Sequence, residues 1–312
     1  MAIALVTGGA GFIGSHLVDR LMSEDFEVVV LDNFSNGNIE NIRLHKNKSN
    51  FYFIEGDVRK KSDVAKAIKN ANYVFHLAAI INVDLSMKRP MLVNEVNVNG
   101  TLNILEEGLK SKVEKFIYIS SCAVYGEPVY LPIDENHPTN PISFYGASKL
   151  AAEHYCRVFY KTYGLKTVCL RLFNVYGPRQ KGGEYGGVIT RFIERLERKE
   201  PPVIFGDGNQ TRDFIYVEDV VEAIMLTLQR KECVGEIINI GSGKETSINE
   251  LANILLKIYN FKEIQPLYSA ARVGDITRSC ADVEKAKELL GFKAKFSLES
   301  GIRKLLAEAK YA

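Results

Sequence analysis

A tyrosine and a lysine four residues apart, in Tyr145-Gly146-Ala147-Ser148-Lys149, open a long helical stretch of this chain. Positions i and i+4 share a helix face, so the lysine can hold positive charge beside the phenol. Such a charge lowers the phenol pKa from about 10 toward working pH and makes it a usable proton acceptor. Upstream, a β-forming run ends in Ser120-Ser121-Cys122-Ala123-Val124-Tyr125-Gly126. A hydroxyl at the carboxyl end of a central strand lies where open α/β sheets bind ligands. Ser121 there can donate a hydrogen bond to a substrate oxygen and relay its proton to Tyr145, although a strand-end serine also serves as a plain cap.

The chain starts with a second chemical signal. Thr7-Gly8-Gly9-Ala10-Gly11-Phe12-Ile13-Gly14 follows an apolar run and precedes an amphipathic one, with glycines 8, 11 and 14 spaced as Gly-x-x-Gly-x-x-Gly. Gly8 suits a tight turn, Gly11 a close approach of backbone to a pyrophosphate, and Gly14 close helix–strand packing. The helix that follows aims its first amides at phosphate. Asp32 ends the next apolar run, 18 residues past Gly14. A carboxylate there accepts hydrogen bonds from the adenosine ribose and repels a 2′-phosphate, which favours NAD over NADP. Asp57, after the third run, reads equally as an adenine contact or as a turn former.

These residues need a scaffold. Continuous apolar runs at Ile3–Thr7, Phe26–Asp32, Phe51–Gly56, Tyr73–Leu77 and Phe116–Ser120 read as strands covered on both faces. Amphipathic stretches at Ser15–Ser23, Ser62–Lys69 and Gly100–Leu109 alternate with them, which predicts a Rossmann-type, doubly wound parallel sheet. Thr167–Leu172 and Glu236–Ile240 add a sixth and a seventh strand. The pattern changes near residue 175. Gly177-Pro178 and the 182–187 stretch are loop material. Helical pattern returns at Val188–Arg198, Val217–Gln229, Asn249–Tyr259 and Val283–Leu290. The expected division is a dinucleotide-binding domain at 1–175, its sheet completed near 236–240, and a smaller mixed lobe at 176–312 that holds the substrate.

Composition bounds the partners. The chain has 312 residues, 46% hydrophobic and 25% charged, with a net charge of +2. That mix is globular, and the balance offers no broad attraction for nucleic acid or an anionic membrane. No apolar run approaches the roughly 20 residues that span a bilayer. The start, Met1–Val6, reads as a first strand rather than a signal peptide. Five scattered cysteines without a Cys-x-x-Cys pair argue against a disulfide framework or a zinc site, and no metal is expected. A reducing cytoplasm is the expected location.

Taken together these motifs resemble the extended short-chain dehydrogenase/reductase superfamily. Within it, the chain is most similar to the NAD-dependent nucleotide-sugar epimerases and dehydratases, in particular the UDP-glucose (galactose) 4-epimerases. The resemblance also rests on Asp32-Asn33, Gly56-Asp57-Val58, His76-Leu77-Ala78-Ala79, Asn97-Val98-Asn99-Gly100-Thr101, Leu170–Pro178, Arg212-Asp213-Phe214-Ile215 and Arg272-Val273-Gly274-Asp275. It implies that Tyr145 is the catalytic base, Lys149 its electrostatic partner and nicotinamide-ribose ligand, and Ser121 the proton relay. It implies NAD contacts from Gly8, Gly11, Phe12, Ile13, Gly14, Asp32, Asn33, Asp57, Val58, Leu77, Ala78, Ala79 and Asn97. For a UDP-sugar it implies Asn174, Val188, Arg212, Arg272 and Asp275, with Val203 and Phe205 lining the uracil and Ser121 and Tyr145 at the sugar.

The departures from the pattern are informative. Dehydratases of this superfamily place Asp-Glu after the relay hydroxyl; this chain has Cys122-Ala123, which favours plain epimerisation of UDP-glucose and UDP-galactose. Ile80 and Ile81 replace a polar residue common among relatives. Ser279 stands where some epimerases carry a large aromatic, which leaves room for an N-acetyl group. The rival readings are a reductase, decarboxylase or uronate epimerase on the same scaffold, and a non-catalytic NAD-binding protein. By analogy a homodimer is expected through Gly100–Leu109 and Tyr145–Tyr163, whose apolar residues (Leu102, Leu105; Leu150, Tyr155, Phe159) suit a monomer core equally well.

Overall fold

The computed structural model describes residues 1–182, 186–271 and 274–309. The first elements are β1 (Ile3–Thr7), α1 (Phe12–Ser23), β2 (Glu27–Asp32), β3 (Phe51–Glu55), α2 (Lys61–Ala67) and β4 (Tyr73–His76). Then come α3 (Val83–Lys88), α4 (Pro90–Asn94), a π-turn at Glu95–Asn99, α5 (Gly100–Lys110), β5 (Lys115–Ser121), α6 (Phe144–Tyr163) and β6 (Thr167–Leu172). The remainder comprises β7 (Asn174–Tyr176), α7 (Val188–Glu197), β8 (Val203–Phe205), β9 (Thr211–Arg212), β10 (Phe214–Tyr216), α8 (Val217–Gln229) and β11 (Ile237–Ile240). It ends with β12 (Thr246–Ser247), α9 (Ile248–Tyr259), β13 (Leu267–Ser269), α10 (Glu284–Leu290) and α11 (Leu298–Ala309).

Seven strands form one parallel sheet in the order β11-β6-β5-β4-β1-β2-β3. The order reverses between β1 and β4, where Thr7 pairs with His76. That switch opens a crevice at the carboxyl ends of the strands. The central strands are largely apolar because helices cover both faces. Leu17, Val18 and Leu21 of α1 pack with α8 and α10 against one face. Val64 of α2, Ile104 and Leu105 of α5, and Ala152, Cys156 and Phe159 of α6 cover the other. Leu105 and Phe159 are thus core residues, and the outer surface of α6 is formed instead by Tyr155, Val158 and Tyr163.

A second apolar cluster joins Ile189, Phe192 and Leu196 of α7 to Leu251 and Leu255 of α9 and to Ile302 of α11. The 189/192/193/196 spacing supplies the helical apolar stripe. Three short pairings frame this part: β7 with β10 and β8 with β13 in parallel, and β9 with β12 antiparallel. The sequence reading anticipates neither these nor α11. Runs of two or three residues carry no periodicity, and their pairing comes from tertiary contact. The helical turns between 83 and 99 also escape it, because Pro90 interrupts the pattern. Of the loop predicted at 182–187, residues 183–185 lie outside the described residues.

Two features seat α6 on the end of β5. The Ser143 hydroxyl caps α6 by accepting from the Gly146 amide at 3.1 Å. A Cβ at Gly146 would stand 2.5 Å from the Ala123 carbonyl oxygen. The Gly146→Ala variant should therefore lose about 1–3 kcal/mol of stability in urea unfolding; an unchanged midpoint would mean that the 122–124 turn yields freely.

Candidate active site

The glycine turn is built by backbone crowding. Gly8 has φ +72°, and a Cβ on it would meet the Ala78 amide nitrogen at 2.8 Å. A Cβ on Gly14 would lie 2.2 Å from the Gly8 carbonyl oxygen. The turn therefore presses directly on the loop after β4. No side chain caps the N-terminus of α1, and its first turn carries no acid. The helix end thus offers bare amides at Phe12, Ile13 and Gly14, the chemistry of an anion cradle. Asp32 is buried; its carboxylate accepts from the Ala10 amide at 3.0 Å and the Phe34 amide at 2.8 Å. Burial raises its pKa against the pull of these donors. These features fit a dinucleotide, with the pyrophosphate on α1 and the ribose at Asp32.

Asp57 forms a turn, one of the two roles its position offers. Its carboxylate accepts from the Arg59 amide and guanidinium and from the Asn33 side chain. The Arg59 guanidinium holds its pKa down at about 2. Val58 is buried behind it, against Gly100.

Asn97 braces a loop. It lies in the π-turn, a geometry frequent at functional sites. Its oxygen accepts from the Ile80 amide at 2.8 Å, and its amide donates to the Ile80 carbonyl and to Ser148 Oγ, both at 2.9 Å. Ser148 Oγ donates to the Tyr145 carbonyl at 2.7 Å. Asn97 thus ties the Leu77–Ala79 segment to the catalytic helix.

His76, which the motif reading gives no role of its own, continues the tie. Thr7 Oγ1 lies 2.7 Å from His76 Nδ1, and Thr101 Oγ1 lies 2.9 Å from Nε2. Thr101 already donates to the Asn97 carbonyl, so Nε2 is assigned as the proton-bearing nitrogen and Nδ1 as the acceptor. The direction is consistent because Thr7 Oγ1 accepts from the Ala78 amide. Burial, with Lys149 nearby, lowers His76 to a pKa of about 3 and keeps it neutral.

Ser121, Tyr145 and Lys149 meet at the end of β5. Ser121 Oγ accepts from the Ala123 amide at 3.2 Å and hydrogen-bonds the Tyr145 phenol. Lys149 is buried; its ammonium donates to the Ile119 carbonyl at 2.7 Å and sits 4.9 Å over the Tyr118 ring. This differs from the sequence expectation in one respect. Burial pushes the phenol up to about 12, Ser121 alone pulls it down, and Lys149 spends its charge on a backbone carbonyl. Burial also brings Lys149 down to about 8. Proton acceptance by Tyr145 therefore calls for a further positive charge beside it, such as that of an oxidised nicotinamide.

A cavity of about 1080 Å³ opens between α3 with the turn before it and the second part of the chain. Its walls include Asn174, Val188, Val203, Phe205, Arg212 and Asp275, six of the substrate residues inferred from the motifs. Arg272 lies outside the described residues. Arg212 donates to the Ile276 carbonyl at 2.7 Å and pairs with Asp275. Asp213 is spoken for elsewhere, accepting from Ser242, Gly243 and Ala281. The walls also include Lys88, Arg191, Arg195 and Gln210, which no motif singled out. Ser121, Tyr145 and Lys149 do not line it, and neither does Cys122, which follows Ser121 in the turn after β5. Burial raises the Cys122 thiol to about 11. Ser279 is buried, and its amide faces Thr211 Oγ1 at 3.3 Å.

A Rossmann sheet, a phosphate cradle and a Ser–Tyr–Lys set beside a basic cavity define a nicotinamide-dependent enzyme. The model of the NAD dependent epimerase/dehydratase family matches residues 4–241, and the chain belongs to this family. It is 45% identical over 304 residues to a putative UDP-glucose 4-epimerase of Methanocaldococcus jannaschii, covering 97% of this chain and 96% of that one. A Thermotoga maritima UDP-glucose 4-epimerase solved with UDP-glucose superposes with a TM-score of 0.93 at 40% identity, covering 99% of both chains. A Bacillus cereus UDP-glucuronic acid 4-epimerase, solved with UDP-glucuronic acid and NAD, gives 0.92 at 35% identity, again over 99% of both chains. The protein is an NAD-dependent enzyme of the nucleotide-sugar epimerase and dehydratase type. Among its described residues no helix is long and apolar enough to cross a membrane.

Proposed function

We propose that this protein is a UDP-hexose 4-epimerase that interconverts UDP-glucose and UDP-galactose. The observation that carries the reading is Ser121, Tyr145 and Lys149 at one strand end, followed by Cys122-Ala123 with no carboxylic acid to expel water. Bound NAD would rest on Gly8–Gly14, Asp32 and Lys149, and it supplies a hydride acceptor that later gives the hydride back. Tyr145 takes the C4 hydroxyl proton, directly or through Ser121. The 4-keto sugar turns over while Arg212 and Asn174 hold its diphosphate, a role suited to a planar, permanently charged donor. Tyr145 then returns the proton to the C4 oxygen, with the opposite face of C4 now turned toward the cofactor. In this reading residues 1–175 carry the cofactor and 176–312 the nucleotide sugar.

The decisive test is chromatography of products from UDP-galactose without added NADH. The expected outcome is a galactose–glucose mixture with no net change in nicotinamide absorbance. Tyr145→Phe should lower kcat by at least about a hundredfold while leaving the unfolding midpoint in place. Retained activity in that variant would remove Tyr145 from the base role.

Ser279 is the basis for including UDP-N-acetylhexosamines. Ser279→Tyr should abolish conversion of the N-acetylated sugar and spare UDP-galactose; equal loss of both would place residue 279 in the fold rather than at the sugar. A second reading, epimerisation of a UDP-uronate, draws on the additional Lys88 in the cavity wall, whose charge suits a carboxylate. UDP-glucuronate in the same product screen separates the two.

The exposed Tyr155, Val158 and Tyr163 on α6 are the basis for proposing a homodimer. Sedimentation velocity should give about twice the mass of the 35.0 kDa chain. A single 35.0 kDa species would refute it.

A further inference from the structure

Tyr145, Lys149 and Glu153 follow one another at single-turn intervals along α6. Both Lys149 and Glu153 are buried, 3% and 1% exposed. Glu153 is gripped from below the helix. Its Oε1 accepts from Ser120 Oγ and, at 3.0 Å, from Arg171 Nε; its Oε2 accepts from Arg171 Nη2 at 2.7 Å. Ser120 is the register partner of Arg171 across β5 and β6, and the residue before the relay hydroxyl. Arg171 lies 4.7 Å over the Tyr125 ring, and Tyr125 donates to Asn239 Oδ1 at 2.7 Å. The carboxylate therefore has no freedom to swing away.

A buried ion pair is a costly way to fill a core. An apolar pair of the same volume stabilises a fold as well or better. What an apolar pair does not supply is a fixed negative charge one turn from a buried ammonium. The groups facing Lys149 are Glu153 and Cys156 on its own helix, Tyr118 from β5 and His76 from β4, with Tyr145 one turn earlier on α6 and Arg171 of β6 behind Glu153. Burial keeps the Tyr118 phenol protonated and His76 neutral. That leaves Glu153 as the carboxylate that offsets the desolvation of Lys149.

We propose that Glu153, held by Arg171 and Ser120, is a positioning residue for the reaction: it keeps a fixed negative charge under Lys149 and thereby keeps that side chain an ammonium beside Tyr145. This rests on the epimerase reading only for its kinetic assay. The sign is set by the ammonium being the working form: it is present below its pKa, and activity is lost as pH rises through that value. Removing the carboxylate disfavours the ammonium.

The test compares NAD-loaded wild-type protein with Glu153→Gln and with the double variant Glu153→Gln/Arg171→Met. In the pH profile of kcat the alkaline limb should move down by about one unit in both. A carbon-13 NMR titration of the Lys149 ammonium, with Lys149→Met as the blank, should show its midpoint falling by about one unit. This second readout needs no substrate, so a wild-type protein that converts no UDP-sugar would refute the epimerase reading while the titration still decides the role of Glu153. A folded variant with both limb and midpoint unmoved overturns the proposal, even if its kcat or unfolding temperature has fallen. Should neither variant fold, Glu153→Asp takes their place, with its charge drawn back by one methylene and both shifts smaller in the same directions. Unmoved values there, or failure of all three to fold, assign Glu153 to the fold alone.

Discussion

A single buried ammonium organises the reactive end of this molecule. Lys149 gives up water for one carbonyl, one aromatic face and a carboxylate a turn away. Such a charge survives burial only where its surroundings are fixed. The fixing is visible on every side. The Ile119 carbonyl comes from the strand that ends in Ser121, and Tyr118 lies below on the same strand. Glu153 is locked by Arg171 from the next strand. The helix bearing Lys149 is brought onto that strand end by a glycine, where any side chain would strike the Ala123 carbonyl. A shift of α6 would therefore disturb the charge, the phenol and the serine together.

The same helix is tied to the cofactor side by a directional chain of hydrogen bonds. It runs from the Ala78 amide through Thr7, His76 and Thr101 to the Asn97 carbonyl, and the Asn97 side chain reaches on to Ser148. Each donor finds an acceptor only if His76 is neutral and protonated at Nε2. The glycine turn, the loop after β4 and the catalytic helix are thus three parts of one rigid frame, while the substrate cavity is built largely from later, shorter elements.

Much of the sheet was legible because strands covered on both faces are written as unbroken apolar runs, and the nucleotide turn because glycines are the residues that tolerate its crowding. The cavity residues were reachable only through motif resemblance. Nothing in the spacing of Asn174, Val203 and Arg212 reveals that two- and three-residue strands bring them to one wall. The hydrogen-bond partners of Asp57 and Asn97 were out of reach of the sequence in a common way. Both look like groups aimed at a ligand, and both spend hydrogen bonds on their own backbone or neighbours. A sequence records what a polar side chain can do, whereas its partners are settled by packing. The interplay of Tyr145 and Lys149 was half legible: i+4 spacing puts them on one face, but the direction of the ammonium toward Ile119 depends on the strand beneath.

The double clasp of Asn97 on Ile80 has a consequence for the cleft. The segment it holds closes against Gly8, where backbone meets backbone with no side chain to swing aside. The wall of the cleft beside the glycine turn is therefore a braced backbone rather than a hinged loop. Under the proposed epimerase reading, a catalyst that recovers each hydride draws nothing from the cellular supply of reducing equivalents, and its output is insulated from swings in that supply.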